Sequence, residues 1–483
     1  MPTDPTDRRI ALALFAAFWA SFALIGPGFM VLNPNSISRM GYVFALVQDH
    51  VAHIDAVAAF TVDKAELGGH FYLDKAPGLS LMALPVIAIL DPLVRLAGGA
   101  TALVVGGKLS LYYILATTLV TLLTTAPLAA AAGAGVFSIA RRLGVARDGA
   151  LFAALLCGLC TPMLGWATVF FGHAAAAGCL VLGLATVLAA AAPSPPRHQF
   201  RAGAIAGLLL AWAVVIEFPA APAALLIGLV GLRRLLAVVD PPRLRRTLAG
   251  VVAGALVAGI PLAVYNALVF GSPFQLGYSH VVGFEGMQRG LFGIILPDPA
   301  VAVALLIGAK RGLLWLAPVL ALTPLAWFAA RRLPPDVLAC IVGIPLFLLA
   351  INAGYAYWDG GASTGPRHLV PALPFLALAF APLWSNAGPA VRSILGVLAT
   401  VSLALSVLTA TTAMGAPIWE DNPLPDYLVP RFLSGDTHNI VALAGDAGFG
   451  WLAMLAAPWV LAARRLGWFR HGRRYIAKAP IPA

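Results

Sequence analysis

The sequence predicts an all-α polytopic membrane protein, and three observations carry that prediction. Sixty per cent of its 483 residues are hydrophobic and only 11% are charged, too few charges to cover a soluble domain of this size. Apolar runs close to the roughly 20 residues needed to cross a bilayer core recur along the whole chain. Basic clusters sit at the ends of those runs: Arg8-Arg9, Arg141-Arg142, Arg233-Arg234, Arg243 to Arg246, Arg331-Arg332, and from Arg464 to Lys478. Cytoplasmic loops are marked in this way. The same placement assigns the net charge of +11 to topology and contact with anionic lipid, and argues against nucleic acid as a partner.

Taken in order, the expected spans are 10–32, 78–96, one or two crossings within 101–140, then 148–168, 173–192, 203–219, 221–237, 247–269, 311–329, 335–354, 368–385, 393–412 and 446–463. Ile10–Leu32 follows basic residues as a signal peptide would, but its length and the spans after it favour an uncleaved anchor. Lys108 and Pro127 interrupt the 101–140 stretch and leave its count open. Twelve to 14 crossings are expected, with both termini and every basic cluster on the cytoplasmic side. The whole chain, 1–483, then forms one transmembrane domain. Its external segments are 33–77, 270–310 and 413–445, and 464–483 is a basic cytoplasmic tail.

Cys157, Cys160, Cys179 and Cys340 all fall inside apolar runs. The Cys157–Cys160 pair has no His or carboxylate close in sequence, so packing is the better reading than metal or redox chemistry. No GxxxxGK[ST] phosphate loop occurs, which argues against ATP hydrolysis by this chain.

The 33–77 segment holds five of the 20 acids (Asp49, Asp55, Asp63, Glu66, Asp74) and three of the nine histidines (His50, His53, His70). Within it, Ile37, Met40, Phe44 and Val47 recur at helical spacing, with Ser36, Ser38, Arg39 and Gln48 on the other side. That pattern predicts a short helix in the membrane interface, holding Arg39 at headgroup depth. Gly68-Gly69 and Ala76-Pro77 bracket His70–Lys75 as a turn.

A site at an outer membrane face without nucleotide machinery needs an activated substrate that arrives within the bilayer, and a polyprenyl-phosphate sugar meets that need. Arg39, Lys75, Arg311 and Arg367 are all placed by the topology where they can hold its phosphate and stabilise charge growing on it. A carboxylate must then take the proton of the acceptor hydroxyl.

His70-Phe71-Tyr72-Leu73-Asp74-Lys75-Ala76-Pro77-Gly78 resembles the Y-x-[DE]-K-x-P segment in the first external loop of GT-C class, lipid-carrier-dependent glycosyltransferases. That group includes the aminoarabinose transferases of lipid A and, more distantly, protein O-mannosyltransferases. Lys310-Arg311-Gly312-Leu313-Leu314-Trp315-Leu316-Ala317-Pro318 and Gly365-Pro366-Arg367-His368-Leu369-Val370-Pro371-Ala372-Leu373-Pro374 are similar to further stretches of the same group. The resemblance implies a GT-C-like bundle with interfacial helices in the first loop. It also implies that Lys75 contacts the donor phosphate, with Arg39 as its partner and Arg367 facing it from a late span.

Two departures matter. Relatives keep an Asp, often Asp-Glu, about one helical turn before the arginine, whereas this chain has Asn33-Pro34-Asn35-Ser36. Asp55 is the first replacement base, with Asp63 and Asp74 behind it. Phe170-Phe171-Gly172-His173 stands where several relatives carry an acid. His173 suits either acceptor orientation, a metal, or a structural hydrogen bond.

Glu217 ends an apolar helix, either as a functional group or as a side chain snorkelling to the interface. His70, Tyr72, Trp358, Asp359 and His368 are further substrate-binding candidates. Tyr357-Trp358-Asp359 also fits an interfacial aromatic belt, and Asp74-Lys75 fits a local ion pair. His50 and His53 lie three apart but lack further ligands at a convincing spacing, so no metal site is assigned. The polyprenyl-phosphate sugar is a co-substrate, and a divalent metal is compatible with the chemistry.

The expected activity is inverting transfer of a hexosyl or pentosyl group from polyprenyl phosphate to a lipid-linked or glycan acceptor. The expected location is the outer, periplasmic face of a bacterial inner membrane, in cell-envelope or lipopolysaccharide synthesis, with the protein as a monomer. The alternatives are a polytopic transporter or lipid flippase, which would place charges near mid-membrane, and a surface-polysaccharide polymerase or ligase.

Overall fold

A computed structural model describes residues 4–190, 195–238, 240–439 and 450–466. Ten of its helices are long and apolar enough to cross a membrane, and the protein is a multi-pass helical membrane protein. The first, Pro5–Ile25, starts on Asp4, whose side chain accepts the Thr6 N–H at 2.7 Å, and stops at Gly26 with φ +69°. Phe18 fills its inner face. Gly133 and Gly158 on two neighbouring helices leave room for that ring, which a Cβ at either position would strike. Pro196–Ile216 and Pro241–Phe270 pack backbone to backbone in the same manner. Gly203, Gly207, Gly250 and Gly254 there face carbonyls of the opposite helix, the small-residue contact that apolar helices use in lipid.

Ion pairs sort the helix ends into two sets. At one end Asp7 holds Arg141 at 2.8 Å and Arg147 at 2.6 Å. Arg234 is bidentate on Asp336, at 2.5 and 2.9 Å, and Arg392 lies 3.5 Å from Asp148. This is the basic end. At the other end the Tyr113 hydroxyl donates to Val31 O at 2.9 Å and the Tyr265 hydroxyl to Leu73 O at 2.7 Å.

These contacts correct the expected span at 78–96. Gly78–Leu96 begins against Val215 and Ile216 of the Pro196–Ile216 helix. Its last turns are tied to the 33–77 segment: Gln48 donates to Asp91 at 2.6 Å and to Thr101 O at 3.0 Å. Tyr113, two residues into the next long helix, is already at the Val31 level. Both ends of Gly78–Leu96 therefore lie at the loop end, and the helix runs beside Pro34–Phe44 instead of crossing. Composition misleads here because a helix lying between protein and lipid is as apolar as one that spans.

The 101–140 stretch forms a single crossing, Leu111–Arg142, locally broken at Thr124 (φ −121°, ψ −69°). Lys108 precedes it in a two-stranded hairpin with Val104–Val105. Setting Gly78–Leu96 aside leaves nine of the ten long helices as crossings. Two broken segments, Arg147–Leu159 with Met163–Trp166 and Leu313–Leu316 with Pro318–Ala330, and one 15-residue helix, Trp451–Arg465, add to them. Twelve crossings result among the described residues, which returns the chain to the basic end. The tail from 467 onward and residues 446–449 of the expected last span lie outside the described residues.

The predicted helix in the first loop exists as Pro34–Phe44, capped by Asn33 and continued by a π-helical turn, Ala45–Asp49. It has no wet face: Ser36, Ser38 and Arg39 are as fully buried as Ile37 and Met40. Gly68 and Gly69, at φ +61° and +84°, turn Ala65–Leu67 back onto His70–Tyr72 as an antiparallel hairpin, since two successive left-handed residues suit a two-residue loop. The hairpin leads into Asp74, Lys75 and Gly78.

Candidate active site

The centre of the loop end is an arginine that sequence spacing does not reveal as paired. Arg39 is fully buried. Its Nε donates to Asn35 Oδ1, its Nη1 to Ala76 O and its Nη2 to Glu217 Oε1, each at 2.9 Å. Asn35, at the place where an acid was expected, thus serves as a neutral acceptor one turn before the arginine. Ala76 is within reach because Gly78 has no side chain. A Cβ there would strike the Val215 carbonyl.

Glu217 sits in the break between Pro196–Ile216 and Ala221–Leu236. Gly172 makes room for it, since a Cβ on Gly172 would overlap the Glu217 carboxylate. His173 Nδ1 lies 4.0 Å from Glu217 Oε1. Its ring meets that of His368 edge-on at 5.3 Å, and His368 Nδ1 is 2.9 Å from Asn352 Oδ1.

Lys75 forms the second cationic centre. Its Nζ lies 2.6 Å from Asp74 Oδ2 and 3.4 Å from Asp63 Oδ1. Burial pulls the Lys75 ammonium down, but Asp63 and Asp74 outweigh it and hold its pKa well above the usual lysine value. Burial dominates for Asp74 and raises its carboxyl above the ordinary range, against the pull of Lys75. One Asp74 oxygen, Oδ1, is buried without a hydrogen-bond partner.

Arg367 is the third centre, and it differs from the others. Its guanidinium lies over the Phe171 ring at 5.2 Å and packs against Gly360. Its Nε is buried without an acceptor, and no carboxylate lies within ion-pair distance of it among the described residues. The charges of Lys75 and Arg367 both reach Tyr355, and those of Lys75, Glu217 and Asp74 meet at Tyr278. Arg39, Lys75 and Arg367 also all act on Glu217, so the three centres are neighbours at the loop end.

Other residues singled out in the sequence are held by contacts of their own. Arg311 is buried, but its Nε, Nη1 and Nη2 donate to the carbonyls of Asp359, Lys310 and Gly361 at 2.7, 3.0 and 2.7 Å. It fixes the Asp359–Gly361 loop that leads to Arg367. Asp359 caps the same turn by accepting the Gly361 N–H at 3.1 Å, and Trp358 packs on the core. Tyr72 packs its ring against Phe270.

Asp55 lies with His70 and His53, its Oδ2 at 2.6 and 3.1 Å from their Nδ1 atoms. None of Arg39, Lys75 or Glu217 is among its partners. Tyr278, Tyr355 and Asn352 were not anticipated. Only Asn352 carried a signal, as a lone amide near the end of an apolar run.

The fold has counterparts among solved structures. The fold is similar to that of ArnT from Cupriavidus metallidurans bound to undecaprenyl phosphate. The match has a TM-score of 0.50 and 18% identity, and covers 95% of this chain and 72% of that one. The fold is accordingly GT-C-like. Two structures of an Archaeoglobus fulgidus oligosaccharyltransferase also match, each with a TM-score of 0.45. One is the apo form, at 12% identity; the other is AglB in complex with an inhibitory peptide and a dolichol-phosphate, at 16%. Each covers 84% of this chain and 56% of its own. No protein-family model and no curated protein sequence matches the chain.

Proposed function

We propose that the protein is an inverting glycosyltransferase that moves a sugar from a polyprenyl-phosphate donor to a lipid-linked or glycan acceptor. The face used is the one that carries the 33–77 segment, the periplasmic side of a bacterial inner membrane. One observation carries the reading: Arg367 is a half-buried guanidinium at the loop end with an unfilled Nε donor and, among the described residues, no carboxylate within ion-pair distance, in the neighbourhood of a lysine held protonated. A cation withdrawn from water is ordinarily paired, so a half-buried one with an idle donor near a second marks a place for an external anion. A phosphate among the headgroups supplies it.

In this mechanism Lys75 and Arg367 bind the phosphate and stabilise the charge that grows on it as the bond to the anomeric carbon breaks. Glu217 takes the proton of the acceptor hydroxyl. The acceptor oxygen attacks the anomeric carbon from the side opposite the phosphate, which leaves with the bonding electron pair, and the configuration inverts. Among the carboxylates beside the cations, Asp74 is fully enclosed, whereas the Glu217 and Asp63 side chains retain 11% and 13% exposure, and Glu217 alone of these also lies 4.0 Å from His173 Nδ1. Arg39 positions Glu217 and the Ala76 carbonyl. Asp55, the first expectation for the base, serves the loop instead.

The test is to incubate the purified protein with a panel of polyprenyl-phosphate sugars and native membrane acceptors, and to measure free polyprenyl phosphate. Release with at least one donor is expected, reduced at least a hundredfold in Arg367→Ala. No release with any donor would overturn the reading.

A further inference from the structure

The loop end carries a second cluster to which the proposed transfer mechanism gives no role. His53 stands in the turn after the π-helical segment, Asp55 opens the 3-10 helix Asp55–Phe60, and His70 opens the second hairpin strand. Three separate pieces of backbone thus bring two imidazoles to one carboxylate oxygen. Asp55 Oδ2 is 2.6 Å from His70 Nδ1 and 3.1 Å from His53 Nδ1. All three atoms lie within 4.8 Å of one another, and the rings stack at 4.6 Å between centroids, 21° from parallel.

The contacts around the cluster hold it in shape. Asp55 Oδ1 accepts the Phe71 N–H at 2.8 Å, which leaves Oδ2 to the imidazoles. Ile54 N–H donates to Phe71 O at 2.7 Å, fixing both histidine-bearing strands of chain to each other. The His53 contact is not a hydrogen bond: its Nδ1 is buried without a partner despite the short distance. A protein–protein hydrogen-bond account therefore explains one imidazole and leaves the other nitrogen idle beside a carboxylate.

We propose that His53, Asp55 and His70 form a divalent-cation site, with Zn(II) as the best-fitting ion. Two imidazole nitrogens and one carboxylate oxygen are a borderline-soft donor set that disfavours Mg(II) and Ca(II). Ligand bonds of about 2.0–2.2 Å imply ligand–ligand separations of roughly 3.3 Å in a tetrahedron. The observed 2.6 and 3.1 Å need only a small opening to accept an ion. Side-chain exposures of 32%, 35% and 51% for His53, Asp55 and His70 leave the fourth position to water.

The bound ion would staple the 3-10 helix to the hairpin whose end supplies Asp74 and Lys75. The inference is independent of the glycosyl-transfer reading, since binding is read directly. Full-length protein in detergent is stripped with a chelator and titrated with Zn(II) alone, by calorimetry, and with Co(II), by its visible absorption.

One ion per chain is expected. Affinity falls at least tenfold in His53→Ala and in His70→Ala and is kept in His50→Asn, whose imidazole lies against Leu46 O. Zn(II) also protects the 60–70 region from protease in the native protein and not in His70→Ala. Absence of stoichiometric binding, or binding unchanged in the His53→Ala/His70→Ala double variant, overturns the proposal.

Discussion

At the residue scale the buried Arg39–Glu217 pair is the contact on which the proposed chemistry depends most. Its partners are separated by 178 positions, and removing one charge leaves the other unpaired out of water, at a cost of about 3–5 kcal/mol. Glu217→Gln is therefore expected to lower transfer by roughly 10²–10⁴-fold, the range for a lost general base, and to lower the thermal midpoint. Asp63→Asn tests the alternative base: a larger loss of kcat there than in Glu217→Gln would move the role to Asp63.

Lys75 gives a pH prediction. Its folded pKa is raised, so the stabilisation it shares with Asp63 and Asp74 is complete below the free lysine value of about 10.4. That stabilisation is lost only as the pH rises through the higher folded value. The native pH profile of kcat/KM should therefore show no break from Lys75 below about pH 10, and Asp63→Asn should bring that break to lower pH. Lys75 and Arg367 were legible in the sequence because they stand in short local motifs. The Arg39–Glu217 pair was not, because no local pattern connects a first-loop helix to the break after the Pro196–Ile216 helix.

At the element scale, helix breaks and glycines place the site. Gly172 and Gly78 are positions where a missing Cβ allows a neighbour's close approach, to Glu217 and to the Val215 backbone respectively. Gly172→Ala should displace the Glu217 carboxylate and reduce transfer about 10²-fold, the cost of an ångström of misplacement, with the helical circular dichroism unchanged. An unchanged rate would place Glu217 outside the chemistry.

The hairpin turn was legible in Gly68-Gly69, because successive glycines carry a specific turn geometry. The burial of the Pro34–Phe44 helix on all sides was not. Amphipathic spacing shows which face is apolar, and cannot show that the polar face is also covered by protein.

For the whole molecule, Asp7, Arg141, Arg147, Arg234, Asp336 and Arg392 mark one end, and the candidate site lies at the other. The position of Gly78–Leu96 makes this testable. Single cysteines at Val62 and Gly107, both exposed, should react with a membrane-impermeant thiol reagent from the same side. The four native cysteines are buried and give little background. Labelling from opposite sides would restore Gly78–Leu96 as a crossing and shift every later helix.

Composition and the recurrence of apolar runs were enough to determine a polytopic helical membrane protein, because the bilayer imposes length and apolarity on every span. Local motifs were enough to mark Lys75 and Arg367. Tertiary structure alone decided which apolar helix does not cross and which carboxylate meets Arg39. It also decided that Asp55 joins two histidines instead of Arg39 or Lys75. These are relations between distant segments, set by packing and by the need of each buried charge for a partner, and such relations leave no periodic trace in the chain.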